Sequence, residues 1–280
     1  MANYEKKWSS ANPGLLVIML DQSSSMKEEY LDGESKAVFA SKAVNSVIQA
    51  IIDKNFDGMT PKNRCFIAIF GYGTDALLLK NGYIGELMKS PIRVEQVTQK
   101  VNAGTGTLVD KPVNMSIWVE AEAKGVTNMT AAFRGVKDLI EGFINKTPDC
   151  PAPIVINISD GAPYIGGDEW DYSEAEKAAQ SIMSLSCKDG NPLIFNAHIE
   201  KDSFNVKLPA DKKELPQNDN AFFLFDISSV IPDAFKSAAE KNNLKVKENA
   251  RGCMIGANAE SLIKLIDFGS SKGLEDIKKI

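Results

Sequence analysis

Apolar residues along this chain fall into two alternating kinds of segment. Short runs, Leu15–Leu20, Cys65–Phe70, Ile154–Ser159, Leu193–Ala197 and Phe222–Phe225, are apolar and often β-branched or aromatic. Such runs predict strands buried on both faces of a sheet. Longer amphipathic stretches, Ser35–Lys54, Met129–Asn145, Ser173–Cys187, Ser229–Asn242 and about Asn258 to Asp267, predict helices. In the first of these, Val38, Ala43, Val47, Ala50 and Ile51 form one apolar stripe suited to docking on a sheet. Strands that alternate with helices imply right-handed crossovers. The expected fold is therefore α/β, Rossmann-like and doubly wound. It has a mostly parallel central sheet, one antiparallel edge strand and helices on both faces.

One region breaks this rhythm. Between about 83 and 122, turn-forming glycines and the alternating stretch Ser116–Glu120 predict an inserted helix or hairpin plus an edge strand. A polar stretch, Lys201–Asn220, holds Pro209 and Pro216 and reads as a surface loop. The expected organisation is a polar extension over 1–12, a single domain over 13–268 and a Lys-rich tail over 269–280.

Composition narrows the function. A hydrophobic share of 44% is enough to bury a core, so wholesale disorder is a poor description. The net charge of −5 leaves no positive field to hold a phosphate backbone. The apolar run at Leu15–Leu20 is too short for a membrane span or a leader. The 4 cysteines are spread without a CxxC pair, so reduced thiols in a cytoplasm are expected. With a single histidine, His198, multi-histidine metal sites and most triad chemistry fall away. His198 reads as a structural residue at a strand end.

Candidate chemistry begins where the first strand ends. Asp21, Ser23 and Ser25 alternate directly after Leu15–Leu20, at the carboxyl end of a strand, where open α/β sheets bind ligands. A carboxylate with hydroxyls suits a hard, oxygen-loving cation such as Mg²⁺. The same residues could simply cap the next helix. Thr127, after Gly125, offers a hydroxyl or an N-cap for the helix that follows. Asp160 ends a second buried strand in an Asp-Gly pair, a cation ligand or a turn.

Together and in this order, these segments resemble the von Willebrand factor A (VWA) domain and its metal-ion-dependent adhesion site. The resemblance covers about Pro13 to Phe268. It implies that Ser23 and Ser25 coordinate Mg²⁺ directly (Mn²⁺ or Ca²⁺ as substitutes) and that Thr127 joins them in the ligand-bound state. Asp21 and Asp160 would hold metal-bound waters. Trp118-Val-Glu, Gly125-Val-Thr127-Asn-Met-Thr and Arg251-Gly-Cys-Met-Ile-Gly look like bacterial members associated with tellurium resistance, although Val126 stands where a second glycine is usual.

The function so implied is non-enzymatic. The domain would recognise another protein whose Asp or Glu completes the metal's coordination, in a bacterial stress-response or signalling assembly. That partner could be a kinase, a phosphatase or an ATPase subunit. An adaptor role in a chelatase-like ring ATPase complex is the alternative; a metal-dependent phosphoesterase lacks a visible second acidic cluster.

Overall fold

The computed structural model describes residues 3–31, 33–57, 60–102, 108–166, 170–200, 205–257, 261, 264 and 265. Its main sheet contains β1 (Gly14–Asp21), β2 (Cys65–Tyr72), β3 (Ala76–Tyr83), β4 (Ile154–Ser159), β5 (Leu193–His198), β6 (Val206–Lys207) and β7 (Cys253–Ile255). Their spatial order is β6-β7-β5-β4-β1-β2-β3. The five inner strands run parallel; β3 is an antiparallel edge strand and two-residue β6 lies antiparallel at the other edge.

β1 sits centrally because all eight of its residues are buried. Its side chains alternate between two cores, as a strand's period of two requires. Leu16, Ile18 and Leu20 pack in the core shared with α1 (Lys36–Lys54), among Val44, Val47, Ile48 and Ile51. Leu15, Val17 and Met19 pack in the opposite core with Phe133, Val136 and Ile140 of α3 (Met129–Lys146), which follows the short α2 (Ile84–Lys89). That second core also receives Ala175, Ala179 and Ile182 of α4 (Tyr172–Met183). The sheet thus carries helices on both faces, as the sequence pattern predicts.

Several boundaries differ from the sequence reading. Phe222–Phe225 is not a strand but part of helix α5 (Asp219–Asp226). The Asn218 side chain caps its start, accepting from the Asn220 and Ala221 N–H groups. Phe223, Leu224 and Phe225 are all buried, so the helix is apolar around most of its circumference and shows no clear stripe. The helix expected over Ser229–Asn242 contracts to a 3₁₀ turn, Asp233–Phe235, and α6 (Lys236–Lys241). Pro232 precedes that turn, and Val230 instead forms a bridge with Arg251. The helix expected at 258–267 lies largely outside the described residues.

The inserted region contains α2 and a separate hairpin of Arg93–Asn102 and Leu108–Ile117. The alternating stretch at Ser116–Glu120 therefore ends a hairpin strand and does not edge the main sheet. Trp118 is buried, and its indole N–H donates to the Leu87 carbonyl at 2.8 Å. That bond leaves it a packing residue, not a surface for a partner. The Ala103-Gly-Thr-Gly-Thr run lies outside the described residues.

Candidate functional site

Asp21, Ser23, Ser25, Thr127 and Asp160 come together at the carboxyl ends of β1 and β4. This is where the connection order reverses: the chain leaves β1 toward β2 and returns to add β4 on its other side. A crevice opens at such a switch point because the flanking loops diverge. The cavity there measures about 390 Å³ and is lined by Ser23, Ser25, Thr127 and Asp160, with Lys36 and Trp170 also in its wall.

Asp21 ends β1 and is fully buried. One carboxylate oxygen accepts the Ser23 N–H at 2.8 Å and the other accepts the Ser159 hydroxyl at 2.7 Å. Those bonds hold the turn so that the Ser23 and Ser25 hydroxyl oxygens lie 3.0 Å apart. Burial, and next the charge of Asp160, push the Asp21 carboxyl up to about 7, against the two serines that oppose the shift.

Thr127 is released from capping. The N-cap of α3 is Asn128, whose side chain accepts the Ala131 N–H at 3.1 Å. Thr127 is instead fixed by its backbone: its N–H donates to the Tyr164 carbonyl, and Tyr164 N–H returns the bond at 3.0 Å. Gly125 brings the loop close to the serine turn, its carbonyl accepting the Ser24 N–H at 3.0 Å. Only glycine fits there, since its φ is +77° and a Cβ would stand 2.1 Å from Thr74 Oγ1.

Asp160 follows β4. His198, the last residue of β5, is fully buried, and its Nε2 lies 2.9 Å from the Asp160 carbonyl oxygen. Burial drives the imidazole toward its neutral form, outweighing Glu200 and Asp160. His198 therefore positions the Asp160 loop.

The sequence reading missed Lys36. This residue opens α1 and is only 5% exposed, yet its ammonium donates to Glu28 Oε2 at 2.7 Å and to Asp160 Oδ2 at 3.2 Å. Burial works against its charge, but the Glu28 hydrogen bond and the Asp160 carboxylate outweigh burial and keep its pKa raised. A lysine at the start of an amphipathic helix gives no sequence signal of this, because the carboxylate it meets is 124 residues away. Also unforeseen is a polar chain beneath the site. The Tyr72 hydroxyl donates to Asn157 Oδ1, Asn157 Nδ2 to Asn196 Oδ1, and Asn196 Nδ2 to the Ser228 hydroxyl.

The residues present fit a hard divalent cation. Hydroxyl oxygens and two carboxylates are its preferred donors. Among the described residues, no group of three or more His, Cys, Asp or Glu is arranged to hold a metal ion, so any ion here would rest on the hydroxyls as well.

No protein-family model matches the sequence, and neither does any curated protein. Solved structures do match. The pilus adhesin SpaC from Lactobacillus rhamnosus GG superposes with a TM-score of 0.52 at 11% identity, over 97% of this chain and 32% of the adhesin. The adhesin shares this chain's Rossmann-like α/β fold. A von Willebrand factor type A structure from Catenulispora acidiphila has a TM-score of 0.46 at 14% identity, covering 94% of this chain and 43% of its own. Manganese-loaded TRAP protein from Plasmodium vivax gives 0.34 at 14% identity, over 68% and 59%. The chain thus spans less than half the length of the first two proteins and somewhat over half of the third.

Proposed function

We propose that this VWA-like chain is a protein-recognition domain that holds a divalent cation, Mg²⁺ in the first instance, through Ser23, Ser25 and Thr127, with Asp21 and Asp160 behind them. The observation that carries this reading is the convergence of Ser23, Ser25, Thr127 and Asp160 on one switch-point cavity, with the buried Asp21 carboxylate holding the serine turn from behind. A bound ion supplies an electrophilic position that an Asp or Glu carboxylate of a partner can fill. The protein's own residues do the rest. Asp21 shapes the serine turn, and the Thr127–Tyr164 bridge fixes the opposite wall.

Beside Thr127, the rings of Tyr164 and Trp170 pack at a 51° tilt with centroids 5.0 Å apart, and Trp170 is 55% exposed. A partner that pairs its acidic residue with an apolar side chain would match this wall. In this reading the domain binds and does not catalyse, and its single histidine, buried with Nε2 facing a carbonyl, is structural. We take the organisation over 13–268 as one unit and a cytoplasm as its setting, a reading that the scattered cysteines support. Among the described residues no helix is long and apolar enough to cross a membrane.

Thermal unfolding in EDTA against Mg²⁺ or Mn²⁺ tests the site. An ion at a hundred times its Kd stabilises the native state by ~2.7 kcal/mol, or roughly 5 °C for a domain of this size. The wild type should show that shift and a Ser23→Ala/Ser25→Ala variant should lose it. An equal response from both would refute the assignment.

A further inference from the structure

At the end of the sheet opposite the site, two loops are fastened side by side. One precedes β4 and the other precedes β5. The Lys188 N–H donates to the Pro148 carbonyl at 3.4 Å, the Ala152 N–H donates to Asp189 Oδ2 at 3.1 Å, and Lys188 Nζ pairs with Asp149 at 2.9 Å. Lys6 adds a strap from the N-terminal stretch, donating to the Asp149 carbonyl at 2.8 Å.

Between these ties stand Cys150 and Cys187, 37 residues apart in sequence. Cys187 Sγ lies 3.4 Å from the Cys150 carbonyl oxygen and 3.2 Å from that of Gly190. The influence of each thiol on the other lowers the pKa of Cys187 and raises that of Cys150. Cys187 is partly exposed, whereas Cys150 is buried. Cys65 and Cys253 are buried within strands, and burial pushes both thiols up. Only the loop pair combines proximity with access.

We propose that Cys150 and Cys187 form a dithiol that closes into an intramolecular disulfide when it meets a small-molecule disulfide. The Cys187 thiolate attacks one sulfur of the oxidant, forming a mixed disulfide and expelling one small thiolate. The Cys150 sulfur, giving up its proton, then attacks Cys187 Sγ and expels the second small thiol. Two electrons pass from the protein pair to the oxidant, which leaves as two thiols. The covalent loop so closed contains β4, Asp160, Tyr164, Trp170 and α4, and so includes part of the cavity's lining. Closing it restricts the unfolded chain, and the oxidised form should melt roughly 5 °C or more above the reduced one.

The test incubates the folded full chain with oxidised glutathione, quenches in acid, then unfolds and alkylates. Alkylatable thiols should fall from four to two, and peptide mapping should recover a Cys150–Cys187 link. Cys150→Ser should stop at a mixed disulfide on Cys187, and Cys187→Ser should leave Cys150 unmodified. Wild-type protein needs no variant for the decisive reading. Retention of all four thiols, a persistent glutathione adduct on Cys187, or a disulfide between chains on a non-reducing gel would each overturn the proposal.

Discussion

Lys36 Nζ lies 3.2 Å from Asp160 Oδ2, joining the first turn of α1 to the loop after β4 inside the candidate metal site. Both side chains are largely buried, at 6% and 10% exposure. The protein thus carries its own cation against one of the two carboxylates, while Asp21 has none within its hydrogen-bonding partners.

Replacing that cation should have two opposite effects. Lys36→Met leaves Asp160 and Glu28 without their partner, and breaking a buried pair costs about 3 kcal/mol. The melting temperature in EDTA should fall by roughly 6 °C or more. The same change removes a positive charge beside the ion, so the Mg²⁺-induced rise should exceed that of wild type. Paired melting curves in EDTA and Mg²⁺ measure both effects.

The raised Asp21 carboxyl predicts the pH dependence of the metal-free protein. With a folded value of about 7 against 3.8 unfolded, the native state binds more protons between those limits. Stability in EDTA should then fall as pH rises from about 4 to 7, by on the order of a few kcal/mol at most. Asp21→Asn should flatten this slope, and saturating Mg²⁺ should reduce it. Urea unfolding at stepped pH gives the slope directly.

Gly125→Ala should weaken the site through its backbone. The added methyl meets Thr74 Oγ1 and adopts a positive φ, a cost of about 1–3 kcal/mol. The loss should appear as a lower melting temperature together with a weaker Mg²⁺ response, because Gly125 ties the Thr127 loop to Ser24.

Trp170→Ala should separate partner contact from ion binding. Trp170 is exposed at the cavity wall and is none of the proposed ion ligands. The Mg²⁺-dependent melting shift should be unchanged. Affinity for a protein partner captured through Mg²⁺ should drop about tenfold, the effect of losing an aromatic anchor. Titration of purified partner with both proteins would read this.

Much of the frame was legible in the chain itself. The run Leu15–Leu20 announced the central strand, because a strand buried on both faces needs apolar residues at every position. α1 and α3 were found nearly to their last residues through their apolar stripes. Asp21, Ser23, Ser25, Thr127 and Asp160 were identifiable as small oxygen donors at strand ends and before a helix. Residues with no distinguishing local pattern were not legible. α5 is buried on most sides, so its periodicity vanished, and Trp118 revealed its packing role only once Leu87 was seen beside it.

The sequence alone therefore determined the alternation of strands and helices, and with it the end of the sheet where the candidate site lies, because periodicity is a local property of the chain. Tertiary structure decided which charges and sulfurs meet. Lys36 and Asp160, Tyr72 and Asn157, and Cys150 and Cys187 are each separated by tens of residues or more. Their contacts arise only when β1, β2, β4 and β5 align in register. Electrostatic and covalent chemistry depends on distances of a few ångströms, and the spacing of residues along a chain does not encode them.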